Sequence, residues 1–168
     1  MSFYDLFIPK IEKFIVAAKE GKIENLKGFI LKGTKINDTT KEGVTALMIA
    51  SLFGQHDVVK WLLENGADVN ASNSTGKTAL MCASYKGYIG VIQLLINKGA
   101  EIDKCEKEGR TALIEAAYIG NLSTVKVLVE VNANINIKDK HGRTAIVYAQ
   151  RNGHKEIVEY LVSKGTNL

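Results

Sequence analysis

The chain contains almost no proline, since Pro9 is the single one among 168 residues. It also has no apolar run near the roughly 20 residues that a helix needs to span a bilayer, so no membrane segment is expected. Its start, MSFYDLFIPK, lacks the basic region and cleavage site of a signal peptide. These absences favour a cytoplasmic protein and leave secretion as an effector open. Chain reversals are expected to fall on the 15 glycines and on asparagine.

Cysteine and histidine are scarce as well. Cys82 and Cys105 form no CxxC pair, and no histidine stands at ligand spacing from them. A disulfide framework or zinc site is therefore not expected, and no metal or cofactor is predicted. No Ser or Cys nucleophile has a nearby histidine in the sequence, so no catalytic residue is proposed and the chain is not expected to be an enzyme.

Charge constrains function only weakly. The net charge is +4, with 22 basic and 18 acidic residues spread along the chain. This balance permits acidic partners without requiring nucleic acid.

A 33-residue period organises the chain. One segment is repeated as GVTALMIASLFG at 43–54, GKTALMCASYKG at 76–87, GRTALIEAAYIG at 109–120 and GRTAIVYAQRNG at 142–153. A third glycine series keeps the same spacing at Gly33, Gly66, Gly99 and Gly165, with Asn132 in the missing slot. Self-similarity at a fixed period of this length indicates a tandem array of stacked units.

Each copy predicts two helices joined by a turn. The first Gly suits a tight turn that needs a positive φ, and the Thr two positions later suits a helix N-cap. A short first helix follows, for example over 79–85, and the second Gly ends it in a left-handed conformation. Small residues such as Ala83 and Ser84 let neighbouring helices approach closely. A second helix carries apolar residues at helical spacing, and an extended piece such as 67–70 leads to the next turn. The predicted caps are Thr45, Thr78, Thr111 and Thr144.

This unit resembles the ankyrin repeat family. The matching features are the Gly-x-Thr-x-Leu starts, the mid-unit Gly, the Leu-Leu pair and GADVN at 66–70. The resemblance implies an all-α solenoid of stacked helix-turn-helix units joined by β-turn or hairpin loops, in one domain over 1–168. The expected divisions are an N-terminal segment and capping repeat at 1–37, internal repeats at 38–72, 73–105 and 106–138, and a C-terminal capping repeat at 139–168.

Gly76-Lys77-Thr78 also matches the end of a phosphate-binding P-loop. The Gly required five residues before Gly76 is Ala71, and the equivalent slots hold GVT, GRT and GRT. A repeat turn with a variable residue in its middle is the favoured interpretation.

Positions that the repeat itself does not need are the candidates for binding. In the resembling family, partners usually dock on the concave face, which the turn tips and first helices form. Directly after the first Gly of each copy come Val44, Lys77, Arg110 and Arg143, and we call the three cations the basic ladder. The other candidates are Lys140 on a turn tip and, directly before each second Gly, Leu52, Phe53, Tyr85, Lys86, Tyr118, Ile119 and Arg151. Aromatic side chains flanked by arginine have the composition of interface hot spots.

Three further residues receive structural interpretations. Trp61 is expected to be semi-buried between second helices, and His154, after a mid-unit Gly, is expected to be structural. Glu115, whose slot holds Ile49, Cys82 and Tyr148 in the other copies, is expected on an exposed face of its helix.

The leading functional hypothesis is a non-catalytic, monomeric protein-interaction module whose partner has an acidic rim and an apolar centre. An alternative is an inhibitory or regulatory subunit, or a secreted effector, that occludes a partner enzyme. Nucleic-acid binding through Lys77, Arg110, Lys140 and Arg143 is the weaker alternative, because a basic ladder alone gives salt-dependent, sequence-blind affinity. Residues 1–9 are apolar enough to pack on the first unit or to dock elsewhere.

Overall fold

The structure is a computed structural model that describes residues 9–165. Residues 1–8, whose packing the sequence left open, and residues 166–168 lie outside the described part. The described chain forms ten α-helices. Their bounds are α1 Lys10–Lys19, α2 Ile23–Leu31, α3 Ala46–Leu52, α4 His56–Glu64, α5 Ala79–Lys86, α6 Ile89–Asn97, α7 Ala112–Ile119, α8 Leu122–Glu130, α9 Ala145–Arg151 and α10 Lys155–Ser163.

The helices pack as five pairs, each joined by a turn of two or three residues. The first helices (α1, α3, α5, α7 and α9) contact their neighbours much more extensively than the second helices do. Buried small residues permit this close approach, among them Ala50, Ser51, Ala83 and Ser84. Because the first helices are drawn together and the second helices are spread apart, the stack is concave on the first-helix side. The all-α repeat solenoid predicted from the sequence is confirmed.

A repeated side-chain contact closes each turn before a first helix. The side-chain oxygen of Asn73 accepts a hydrogen bond from the backbone N–H of Lys77, while the Asn73 N–H donates to the Lys77 carbonyl. The same pair of contacts joins residue i to residue i+4 in the other units, at Thr40 and Val44, Glu106 and Arg110, and Asp139 and Arg143. Adjacent turns are tied together as well, since the Lys107 N–H donates to the Thr75 carbonyl.

The pieces leading to these turns differ from the sequence prediction. Residues 67–70 were expected to be extended, but 69–70 lie in a turn, in which the Ala71 N–H donates to the Asp68 carbonyl and the Asn70 N–H donates to the Asp68 side chain. A carboxylate that captures a backbone N–H two residues later stabilises a local turn over a strand. Within residues 9–165, the one β-type pairing is an isolated bridge between Ser72 and Thr78.

Threonine caps three of the four first helices as predicted. The hydroxyls of Thr45, Thr78 and Thr111 each accept a hydrogen bond from the backbone N–H three residues later. Thr144 occupies the same position in an extended conformation but makes no such bond, so the predicted fourth side-chain cap is wrong. Asp139 accepts hydrogen bonds from the backbone N–H and the guanidinium of Arg143, the residue directly before Thr144, as Glu106 does from Arg110 before the capping Thr111.

The glycines between paired helices make room for side chains from the next unit. Gly120 has φ 91°, and a Cβ placed there would lie 2.6 Å from the His154 ring. His154 Nε2 in turn lies 3.1 Å from the Tyr118 carbonyl oxygen at the end of α7. The structural role predicted for His154 is confirmed. Trp61 is partly buried against the core, as predicted. None of the helices described has the length and apolarity that crossing a membrane requires.

Candidate interaction groove

An apolar cavity opens on the concave side between α3 and α5. Its volume is about 250 Å³, and we call it the groove cavity. It is lined by Val44, Met48, Ile49, Leu52, Asn73, Lys77, Met81, Cys82 and Tyr85. Four of the twelve residues predicted from the sequence, Val44, Leu52, Lys77 and Tyr85, therefore share one cavity.

Two lysines flank the Tyr85 ring at the edge of this cavity. The Lys77 Nζ lies 5.9 Å from the ring centroid and the Lys86 Nζ lies 5.4 Å from it. Lys86 is exposed and forms no ion pair with a carboxylate of residues 9–165. This edge of the cavity is therefore basic, whereas the floor is apolar.

The basic ladder is engaged by carboxylates of the fold. Lys77 Nζ lies 3.2 Å from Glu115 Oε1, Arg110 Nε lies 3.2 Å from Glu106 Oε1, and Arg143 Nη2 lies 2.7 Å from Asp139 Oδ2. The sequence left Lys77 without an explanation in the fold, and the structure gives it a partner in Glu115. Arg110 and Arg143 each pair with a carboxylate four residues earlier, and Lys77 pairs with a carboxylate of the next unit. The three cations are thus balanced by three carboxylates.

Glu115 is buried, which corrects the expectation of an exposed position. Its exposed fraction is 1%. Lys77 from the preceding unit and Arg110, whose Nη2 lies 3.6 Å away, approach Oε1 from two sides. Neither cation reaches hydrogen-bonding geometry with Oε1, which has no hydrogen-bond partner in the described part of the chain. The sequence of α7 alone does not predict this burial, because Glu115 is covered by side chains from two different units.

The carboxylates of the last two ladder positions are held ionised. Burial by itself would raise the pKa of Asp139, but hydrogen bonds from Arg143 and Tyr148 outweigh it and hold the pKa well below its ordinary value. The Tyr148 hydroxyl donates to Asp139 over 2.6 Å. Burial likewise opposes ionisation of Glu106, yet donors from backbone and Arg110 lower its pKa. The groove near α7 and α9 therefore contains ionised side chains, but each arginine is balanced by a carboxylate and the pairs add no net charge.

The remaining predicted residues lie along the rim. Phe53 and Tyr118 are 43% and 40% exposed, the first beneath Lys19 and the second edge-on to the Tyr148 ring at 5.8 Å. Ile119 is exposed beside Tyr118. The turn-tip Lys140 lies 3.8 Å from Glu108, and Arg151 is exposed at the end of α9.

Sequence reasoning missed the cavity floor. Met48 and Met81 occupy one slot of the 33-residue period, and Ile49 and Cys82 occupy the next. The repeat alignment contained part of this signal, since the slot of Ile49 and Cys82 holds Glu115 and Tyr148 in the later copies, whereas the slot of Met48 and Met81 is apolar in all four copies. Burial raises the pKa of the Cys82 thiol to about 11, in keeping with an apolar floor.

The structure supports neither a nucleotide loop nor a metal cluster in the part it describes. Gly76 has φ 85° in a repeat turn, and Thr78 caps α5. No parallel strand precedes them within residues 9–165. Across the same residues, no three side chains of His, Cys, Asp or Glu gather as a metal ion would require.

Paired helices, stacked through their first members and linked by bonded turns, define a helical-repeat solenoid with an open groove. A family model described as ankyrin repeats (3 copies) matches residues 14–106 and 90–168. The chain belongs to the ankyrin repeat family, as the sequence predicted. Ankyrin repeats are general protein–protein interaction modules and are typically non-catalytic. A comparison with curated proteins finds no match.

Proposed function

We propose that the chain binds a protein partner through its concave groove, with the groove cavity as the anchoring point. The observation that carries this proposal is an apolar cavity of about 250 Å³ on the face where first helices and turns converge. Binding pockets of this kind combine an apolar lining with a few polar groups that set orientation. Asn73 and Lys77 are such groups here.

Exposed aromatics extend this surface beyond the cavity. Phe53 and Tyr118 each leave about two fifths of their surface in solvent, on either side of the half-buried Tyr85. Aromatic side chains at the centre of an interface carry a large share of binding energy. The three rings follow successive first helices, so an extended partner segment lying across the units would meet them in order.

Electrostatics favour a protein over a nucleic acid. Each member of the basic ladder faces a carboxylate within 4 Å, so the ladder adds little net charge. Binding to a phosphate backbone needs unpaired cations that release counterions. The acidic rim proposed for the partner is therefore met by cations outside these pairs, chiefly Lys86 and Arg151.

Quantitative capture from a native lysate tests the proposal. The variant carries Phe53→Ala, Tyr85→Ala and Tyr118→Ala together, and we expect it to lose captured partner by about tenfold or more. The control carries Leu31→Ala and Val162→Ala, two exposed apolar residues on second helices, and should capture as wild type does. Circular dichroism verifies the helical content of both. Equal capture by the two variants would refute the groove as the binding site.

A further inference from the structure

The geometry points to a definite partner chemistry: a protein segment that presents one large apolar side chain directly beside a carboxylate. The inference rests on the proposed function and specifies what the groove cavity selects. The apolar side chain enters between α3 and α5, and the carboxylate lies at the edge formed by Lys77, Tyr85 and Lys86.

The cavity has the size for a single bulky side chain. An apolar protein cavity of about 150 Å³ can hold a benzene ring, and the groove cavity has about 250 Å³. Its walls include Met48 and Met81, whose flexible thioethers adapt to aromatic and aliphatic shapes alike. A phenyl, indole or branched aliphatic group would therefore fit, whereas a segment of small residues would leave the cavity unfilled.

The edge of the cavity supplies hydrogen-bond donors and positive charge. Lys86 has no carboxylate partner among the described residues, and Lys77 meets Glu115 without reaching hydrogen-bond geometry. The Asn73 side-chain oxygen accepts from the backbone of Thr75 and Lys77, while its amide nitrogen makes no hydrogen bond in residues 9–165. The Lys86 ammonium and the Asn73 amide thus stand at the apolar opening without a carboxylate partner among the described residues, and a negatively charged acceptor on the partner would suit both, while Lys77 remains paired with Glu115.

The same geometry disfavours a partner segment with a basic residue next to the apolar side chain that enters the cavity. Among the residues that the structure describes, no acidic side chain lines the groove cavity. The nearest carboxylate engaged at this edge, Glu115, is buried beneath Lys77 and Arg110 and cannot meet a partner cation without displacing them. Like-charge contact with Lys77 and Lys86 would oppose binding.

Selection from a random dodecamer peptide library displayed on phage tests the inference with the full chain as bait. We expect enriched peptides to share an aromatic or large aliphatic residue with Asp or Glu within two positions of it. In binding titrations with a selected synthetic peptide, Lys86→Glu should weaken affinity by roughly tenfold. Lys126→Glu is the matched control, because Lys126 also lies beside a tyrosine ring, that of Tyr160, but on a second helix. It should leave the affinity unchanged.

A second pair of variants separates this inference from the proposed function. Leu52→Asp places a charge in the cavity wall, and Leu31→Asp places one on an exposed second-helix residue. If selected peptides lose binding to Leu52→Asp alone but share no acidic residue, or bind Lys86→Glu as well as wild type, the acidic-neighbour inference is overturned and the groove stands. If Leu52→Asp binds as wild type does, or no peptide is enriched, both the inference and the cavity as an anchor fall.

Discussion

Asp139 shows how a single buried carboxylate can hold one end of the groove together. Its oxygens accept hydrogen bonds from the backbone N–H groups of His141 and Arg143, from the Arg143 guanidinium and from the Tyr148 hydroxyl. These donors all favour the ionised form, which is why its pKa is lowered despite burial.

Replacing Asp139 should weaken the fold in a pH-dependent way. Asp139→Asn removes the charge, and we expect a loss of about 1–3 kcal/mol in the free energy of unfolding at pH 7. Because the folded pKa is lowered, the wild-type contribution is complete well above the unfolded pKa of about 3.9 and is lost as the pH falls below it. The difference between wild type and variant should therefore shrink on acidification.

Urea denaturation at pH 7 and at about pH 3.5 measures this difference. Asp57→Asn, at a carboxylate whose side chain is 90% exposed, serves as the control and should change stability little at either pH. A variant as stable as wild type at neutral pH would contradict the role given to Asp139.

The two cysteines should differ in reactivity because their surroundings differ. Thiolate is the reactive form, and with a pKa of about 11 Cys82 is ionised in roughly one molecule in a thousand at pH 8. Burial also raises the pKa of Cys105, but that side chain is exposed. We expect iodoacetamide to modify Cys105 about tenfold faster or more, as followed by peptide mass spectrometry. Similar rates would show that Cys82 is not in an apolar, shielded site.

At the scale of helices, the threonine caps offer a comparison within one chain. Thr78→Ala removes a hydroxyl that accepts from the Met81 N–H, and should cost about 1 kcal/mol of folding stability. Thr144→Ala removes a hydroxyl that makes no capping bond, and should cost clearly less. Thermal and urea unfolding measure both variants, and Thr78→Ser should retain most of the stability. Equal losses at Thr78 and Thr144 would contradict the assignment of caps.

The helices were predictable because their boundaries are local. Gly87, with φ 77°, adopts the left-handed conformation that ends α5, and a Thr before an apolar stretch is a common helix N-cap. Thr144 was predicted wrongly because its sequence setting, Gly-Arg-Thr-Ala, is the same as that of the capping Thr111, so the sequence does not distinguish the two. The core residues of the second helices were predictable too, because apolar residues at helical spacing identify the buried face of a helix from its own sequence.

The groove was less predictable because it is made between units. Lys77 could be placed on the concave side from its slot, but its partner Glu115 belongs to the following unit. The burial of Glu115 depends on long side chains folding over it from two directions, which no single-helix pattern contains. The cavity arises similarly, because Ile49 and Cys82 come from two adjacent units and share a slot that holds Glu115 and Tyr148 in the later units.

At the scale of the whole molecule, stability should vary along the stack. Interior first helices such as α5 and α7 pack between two neighbours, whereas α9 and α10 end the described array. Repeat arrays open from units that lack a neighbour, because each unit is stabilised mainly by adjacent ones. Native-state hydrogen exchange should therefore show slower exchange for amides in α5 and α7 than in α10. Uniform protection along the chain would indicate all-or-none opening instead.

The account depends most on the groove cavity being where the partner binds, and Cys82 in its wall reports on that directly. The measurement is the rate of Cys82 modification by iodoacetamide at pH 8.5, in a Cys105→Ser background, with and without saturating partner protein or selected peptide. We predict that the bound partner slows modification by about tenfold or more, because it fills the cavity and excludes the reagent. An unchanged rate in the fully bound complex would contradict the central claim.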